Sequence, residues 1–147
     1  MPHPARIART ERAALADLLQ QVGPDRPTLC EGWLTADLCN HLLVRERRPD
    51  AAAGLVLRPL AGRMDRVTAG YAALPWGRRL RLLRTGPPAW SPLGWGRLDE
   101  LVNGIEYFIH HEDVRRGSPG WQPRELDPDT TLAVTTALRR PGSAPSL

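Results

Sequence analysis

The sequence predicts an all-α protein: one helical domain arranged around a long helix near its C-terminal end. Three observations predict it. Ala, Leu and Arg are abundant and branched strand formers are scarce, a composition that favours helix. Apolar residues recur three and four positions apart in several separate segments, the spacing of one helix face. Pro and Gly cluster in the stretches between those segments, such as 85–97 and 118–128. A length of 147 residues suits a single domain with a real core. We place it at residues 1–140, followed by a short Pro/Gly/Ser tail at 141–147 that is not expected to order on its own.

The first helix is expected over 6–22, with Ala13, Ala14 and Leu18 on its buried face and Gly23-Pro24 as its stop. A connector over 24–33 ends at Trp33, expected to pack beneath it. Thr35 is the expected N-cap of the second helix, and Asp37 in the first turn suits the helix dipole. His41 then falls on the face of Leu34, Leu38 and Val44, so it looks inward. Pro49 interrupts this helix, residues 50–57 are apolar and ambiguous, and Pro59 opens a third helix carrying Leu60, Met64, Val67 and Tyr71. Residues 76–84 form a basic amphipathic piece, read either as a packed helix with a solvated Arg face or as an anion-binding rim.

A long Pro/Gly/Trp loop is expected over 85–97, where Trp90 and Trp95 either cover a pocket mouth or simply pack. The organising helix follows over 98–116, with Leu98, Leu101, Val102, Ile105, Phe108 and Ile109 as its apolar face and Gly117 as its C-cap. A Pro-rich connector over 118–128 leads to a last short helix at 129–139.

Composition excludes several function classes. No apolar run approaches the roughly 20 residues of a membrane span, and the N-terminus lacks the apolar stretch of a signal peptide. We therefore expect a cytoplasmic protein with no membrane role. The net charge is +4, and all 20 basic residues are Arg. These are scattered among acidic residues, and the absence of Lys reads as compositional bias, so no nucleic-acid role is expected. Two cysteines, Cys30 and Cys39, suit neither a disulfide framework nor a Cys-based zinc site; both are expected as reduced, partly buried thiols.

The chemistry-bearing pattern is a polar stripe on the organising helix. Asn103, Glu106, His110 and Asp113 follow at steps of three, four and three, and so stack on one side. A carboxylate and an imidazole one turn apart can reach one metal ion, as the paired histidines of a zincin helix do. Of the other histidines, His3 lies in a Pro-rich terminus and His111 points about 100° away around the helix. His41 completes a candidate triad of His41, Glu106 and His110. Two His and one carboxylate is a composition of catalytic zinc and also suits other divalent ions. The same residues have a plainer reading, with His41 as a satisfied core histidine and Glu106–His110 as a helix-face pair worth a few tenths of a kcal/mol (~0.3).

The stretch Pro-Thr-Leu-Cys-Glu-Gly-Trp-Leu-Thr-Ala-Asp-Leu-Cys-Asn-His over 27–41, taken with Asn-Gly-Ile-Glu-Tyr-Phe-Ile-His-His-Glu-Asp-Val-Arg-Arg over 103–116, resembles the mycothiol-dependent maleylpyruvate isomerase metal-binding domain family. That family belongs to the DinB-like superfamily of four-helix metal-binding proteins. More narrowly, the chain is similar to an actinobacterial subgroup with the Thr-x-Cys-x-Gly-Trp and Glu-x-x-x-His-His-Glu-Asp-Val-Arg-Arg patterns, over most of residues 6–140.

The resemblance implies a DinB-like four-helix bundle and a divalent metal, zinc foremost, held by His41, Glu106 and His110. It further implies a low-molecular-weight thiol such as mycothiol as substrate, and S-transferase or isomerase-like chemistry. Asn103 and Asp113 are then candidates to orient the ligands, or else solvated helix surface. Arg45 is a candidate to pair with Glu106 or a substrate carboxylate, or else forms a surface ion pair. The family usually continues into a C-terminal segment that covers the bundle, and here the tail stands in its place. The competing expectations are a metal-binding bundle without catalysis and a metal-free helical interaction module.

Overall fold

A computed structural model describes residues 7–91 and 96–139, with the side chains of Leu55 and of residues 96–102 left out of the description. Trp95, the tail at 141–147, and the side chains of Leu98, Leu101 and Val102 lie outside what is described. The described chain is all-helical: α1 Ile7–Val22, α2 Thr35–Arg47, α3 Pro49–Ala52, α4 Ala61–Ala72, α5 Trp76–Thr85, α6 Gly96–Arg116 and α7 Pro128–Leu138. The ambiguous apolar stretch after Pro49 becomes the single turn of α3 and a 3-10 turn at Ala53–Leu55, and Pro59 lies in a second 3-10 turn, Arg58–Leu60, that leads into α4. Among the described residues no helix is long and apolar enough to cross a membrane.

Helix α1 lies along α6 in the most extensive helix pairing, and α2 packs on α4 and α5. The core is built from Leu15, Ala16 and Leu19 of α1, Leu38, Leu42 and Leu43 of α2, Leu80 and Leu83 of α5, and Tyr107 and Val114 of α6. α2 is the most enclosed element, with every residue from Leu38 to Val44 buried. Its His41 is thus inside, as expected, but Leu34 at its start is exposed.

The buried faces of α1 and α6 are rotated from those that apolar spacing predicts. On α1, Ala13 is exposed and Ala14 and Leu18 are half-buried, whereas Glu11 and Arg12 are buried beside Ala8, Leu15 and Leu19. On α6, Ile105, Phe108 and Ile109 are only half-buried, and the inward side carries Asn103, Glu106, Tyr107, His110, His111 and Val114. Burying polar groups is tolerable where they find partners, and two such pairs link α1 to its neighbours. Arg12 Nη2 donates to Glu46 Oε1 at 2.9 Å, an ion pair that ties α1 to α2. His111 Nδ1 lies 2.9 Å from Glu11 Oε2, tying α6 to α1.

The connector between α1 and α2 is a compact turn. Gly23 ends α1 at φ +80°, the left-handed conformation that glycine adopts without steric cost, and its N–H reaches Leu19 O at 3.0 Å. Thr28 and Trp33 close the turn: Thr28 N–H donates to Trp33 O at 3.1 Å and Thr28 Oγ1 donates to the same oxygen at 3.0 Å. Thr35 is not the cap of α2. Its hydroxyl donates to Gly23 O at 2.6 Å and accepts from Arg26 N–H, fastening the helix start to the end of α1, while Asp37 accepts from Leu34 N–H at 2.9 Å.

Gly117 follows α6, but its φ is not positive. Its N–H bonds Asp113 O at 3.1 Å as the helix ends, and its lack of a side chain allows a close approach, since a Cβ there would strike Pro27 O and lie 2.8 Å from Thr28 Cα. The contact seats the Pro27–Cys30 turn on the end of α6, where Leu29 N–H also donates to Asp113 O at 3.1 Å. The last helix is capped by Asp127, whose carboxylate accepts from the N–H groups of Asp129 and Thr130.

Candidate metal centre

His41 on α2 and Glu106 and His110 on α6 meet in the interior. One donor atom from each lies within 4.8 Å of the other two, and all three residues are buried. His110 Nε2 is 3.4 Å from Glu106 Oε2, close to the edge of about 3.3 Å that tetrahedral bonds of about 2.0–2.1 Å would give. The His41 and His110 rings meet edge to face with centroids 5.4 Å apart, and Trp33 lies against His41 at 5.2 Å. Trp33 therefore packs against the candidate site itself.

The polar groups around the triad are arranged to hold its side chains. Asp113 Oδ2 is 3.1 Å from His110 Nδ1, so with a proton on Nδ1 the Nε2 lone pair is turned toward Glu106 and His41. Arg45 donates to Asn103 Oδ1 and its Nε stands 4.0 Å from Glu106 Oε2. Asn103 is fully buried. Asn103, Asp113 and Arg45 are therefore all in place around the triad, and none is solvated helix surface.

Electrostatics separate the two histidines. Burial, helped by the neighbouring His110, pushes His41 down to about 4, so its ring is neutral near pH 7. Burial also acts to lower His110, but the hydrogen bond to Asp113 and the nearby Glu106 carboxylate outweigh it and leave the ring raised above its ordinary value. His41 Nε2 and His110 Nε2 are both buried with no hydrogen-bond partner among the described residues. Two enclosed imidazole nitrogens of this kind, beside a carboxylate, are a donor set that a divalent cation satisfies.

Two residues that spacing did not single out for this site also belong to the picture. Cys30 Sγ donates to Asp113 Oδ2 at 3.3 Å, and burial together with Asp113 pushes the thiol up to about 11. Helical periodicity on α6 gives no sign of this contact, because it depends on how the preceding turn folds. His111 faces α1 rather than solvent, and the Glu11 that receives it is itself held by Arg124 at 2.8 Å. A charged Glu11 on the same face as Ala8 and Leu15 was the available signal.

Of the Arg residues of 76–84, Arg78 and Arg81 are exposed, whereas Arg79 and Arg84 are engaged within the fold. Arg79 is buried, donates to Asn40 Oδ1 at 3.2 Å and lies over Trp76, while Arg84 pairs with Asp17 at 2.6 Å. Trp90 is 63% exposed. No protein-family model, no curated protein and no solved structure matches this chain.

Proposed function

We propose that the chain is a divalent-metal-binding protein, with zinc as the favoured ion, and that it acts in the cytoplasm as a thiol S-transferase or isomerase-like enzyme of the DinB-like, mycothiol-dependent kind. The observation that carries the metal reading is the convergence of buried His41, Glu106 and His110, with an unpartnered Nε2 on each imidazole. The paired motifs at 27–41 and 103–116 and the all-helical architecture support the family reading.

His41, Glu106 and His110 would hold the ion. When bound, it would supply Lewis acidity that favours the thiolate form of a thiol substrate. The chain's own residues do the rest. Asp113 fixes the His110 ring and its proton at Nδ1. Arg45 anchors Asn103 and places positive charge beside Glu106, which keeps that carboxylate available as a donor. Trp33 packs against the His41 ring and limits water on that side.

A second reading is favoured by the depth of the site: His110 is 0%, Glu106 7% and His41 9% exposed. On that reading the ion holds α2 to α6 without turnover. Turnover of a low-molecular-weight thiol with an electrophilic acceptor separates the two. The enzyme reading expects thiol consumption by the zinc-loaded chain that His41→Ala abolishes. Bound zinc with no thiol consumption across such a screen would leave only the structural ion.

A further inference from the structure

His110 has two faces, and only one of them looks at the triad. Its Nε2 points to Glu106 and His41, while its Nδ1 points to Asp113, 3.1 Å away. On that other side Cys30 Sγ lies 3.3 Å from the same Asp113 oxygen. Cys30, His110 and Asp113 thus bring a sulfur, a nitrogen and an oxygen within 4.8 Å of one another, with Cys30 and His110 buried and Asp113 half-buried. The arrangement is held from outside by the seat of the Pro27–Cys30 turn against Gly117 and by the Leu29 N–H bond to Asp113 O.

We propose that Cys30, Asp113 and the Nδ1 of His110 form a second cation position, suited to a thiophilic ion, that is filled in exchange with the His41–Glu106–His110 position. The donor set decides the ion class, because a thiolate beside an imidazole selects soft or borderline cations over magnesium and calcium. The exchange follows from the imidazole. A neutral ring has one lone pair and one N–H. With the proton on Nδ1, shared with Asp113, the lone pair serves the triad. With the proton on Nε2, facing Glu106, the lone pair serves Cys30 and Asp113. When an ion enters on the Cys30 side, the sulfur–metal bond forms as the S–H proton leaves to solvent, and the ring proton moves from Nδ1 to Nε2. One proton is released and no redox change occurs. The exchange rests on the proposed metal reading of the triad; the Cys30 position does not.

Cadmium titration of the full, tag-free, zinc-loaded chain tests this. The readouts are thiolate-to-cadmium charge-transfer absorbance in the near ultraviolet and zinc released to a chromophoric indicator. The expected result is a band that saturates near one equivalent of cadmium, with about one zinc released for each cadmium bound. The band should persist in Cys39→Ser, whose thiol is buried elsewhere in the core, and disappear in Cys30→Ser and Cys30→Ala. Zinc retained in those two variants reports that they still fold. No band in the wild type, or a band that survives Cys30→Ala, overturns the Cys30 position. A Cys30-dependent band with zinc fully retained overturns the exchange. A Cys30-dependent band in a chain that takes up no zinc sustains the Cys30 position and refutes the triad.

Discussion

Asp113 Oδ2 sits 3.1 Å from His110 Nδ1, less than one turn further along the same helix. This contact fixes which nitrogen of His110 is offered to Glu106 and His41. A carboxylate behind a ligating imidazole sets the ring's tautomer and raises its basicity, and removing such a partner typically weakens metal binding by about 10–100-fold. Asp113→Asn should therefore bind zinc roughly 10–100-fold more weakly, measured by competition with a chromophoric chelator, while helical circular dichroism is unchanged. Unaltered affinity would show that Asp113 does not orient His110.

Gly117 supplies a second prediction, on stability. Its Cβ-free backbone lets Pro27 and Thr28 lie directly against the end of α6. A methyl group there must push back main chain rather than a flexible side chain. Gly117→Ala should cost about 1–3 kcal/mol, the usual range for overpacking, read from urea unfolding midpoints. It should also increase amide exchange at Leu29, whose N–H bonds to Asp113 O. A variant as stable as the wild type would contradict the close seat.

Acid stability gives a third. The unfolded His41 ring titrates near 6.5, and burial lowers the folded value to about 4. Between those values the unfolded chain binds more protons than the folded one, so the metal-free protein loses stability as pH falls through that window. Glu11 acts in the same sense at lower pH. Burial raises its carboxyl, but hydrogen bonds from His111 and Arg124 outweigh burial and hold it below the usual value, so its contribution is lost on acidification. His110 is raised and works the other way, its contribution being lost as pH rises. His41→Gln should accordingly show a shallower decline in unfolding midpoint between pH 6.5 and 4 than the metal-free wild type. Parallel profiles would show that His41 is not held neutral by burial.

The helices and the Glu106–His110 pair were legible in the sequence because both rest on local periodicity, whereas His41 joins the pair from a distant helix. Pro and Gly mark most helix ends, and steps of three and four put Asn103, Glu106, His110 and Asp113 on one side. The inward-facing side of α6 was not legible in the same way. Apolar spacing selected Ile105, Phe108 and Ile109, yet the interior receives His111 and Asn103, because Glu11 and Arg45 meet them from other helices. The buried Arg12–Glu46 pair was hidden for the same reason, since its partners are 34 positions apart. Thr35 was identified as a special residue but in the wrong role, and Gly117 in only part of its role, since it does end α6. Thr35 fits a local capping pattern but serves a contact with Gly23, and Gly117 adds to its place at the helix end a close approach to Pro27.

The central claim is that His41, Glu106 and His110 hold one divalent ion, and metal content tests it most directly. Tag-free wild type and Glu106→Ala would be purified, incubated with zinc, desalted and measured by inductively coupled plasma mass spectrometry. About one equivalent of zinc is expected in the wild type, with most of it lost in Glu106→Ala, since binding requires the assembled donor set. Zinc absent from the wild type, or retained undiminished in Glu106→Ala, would contradict it.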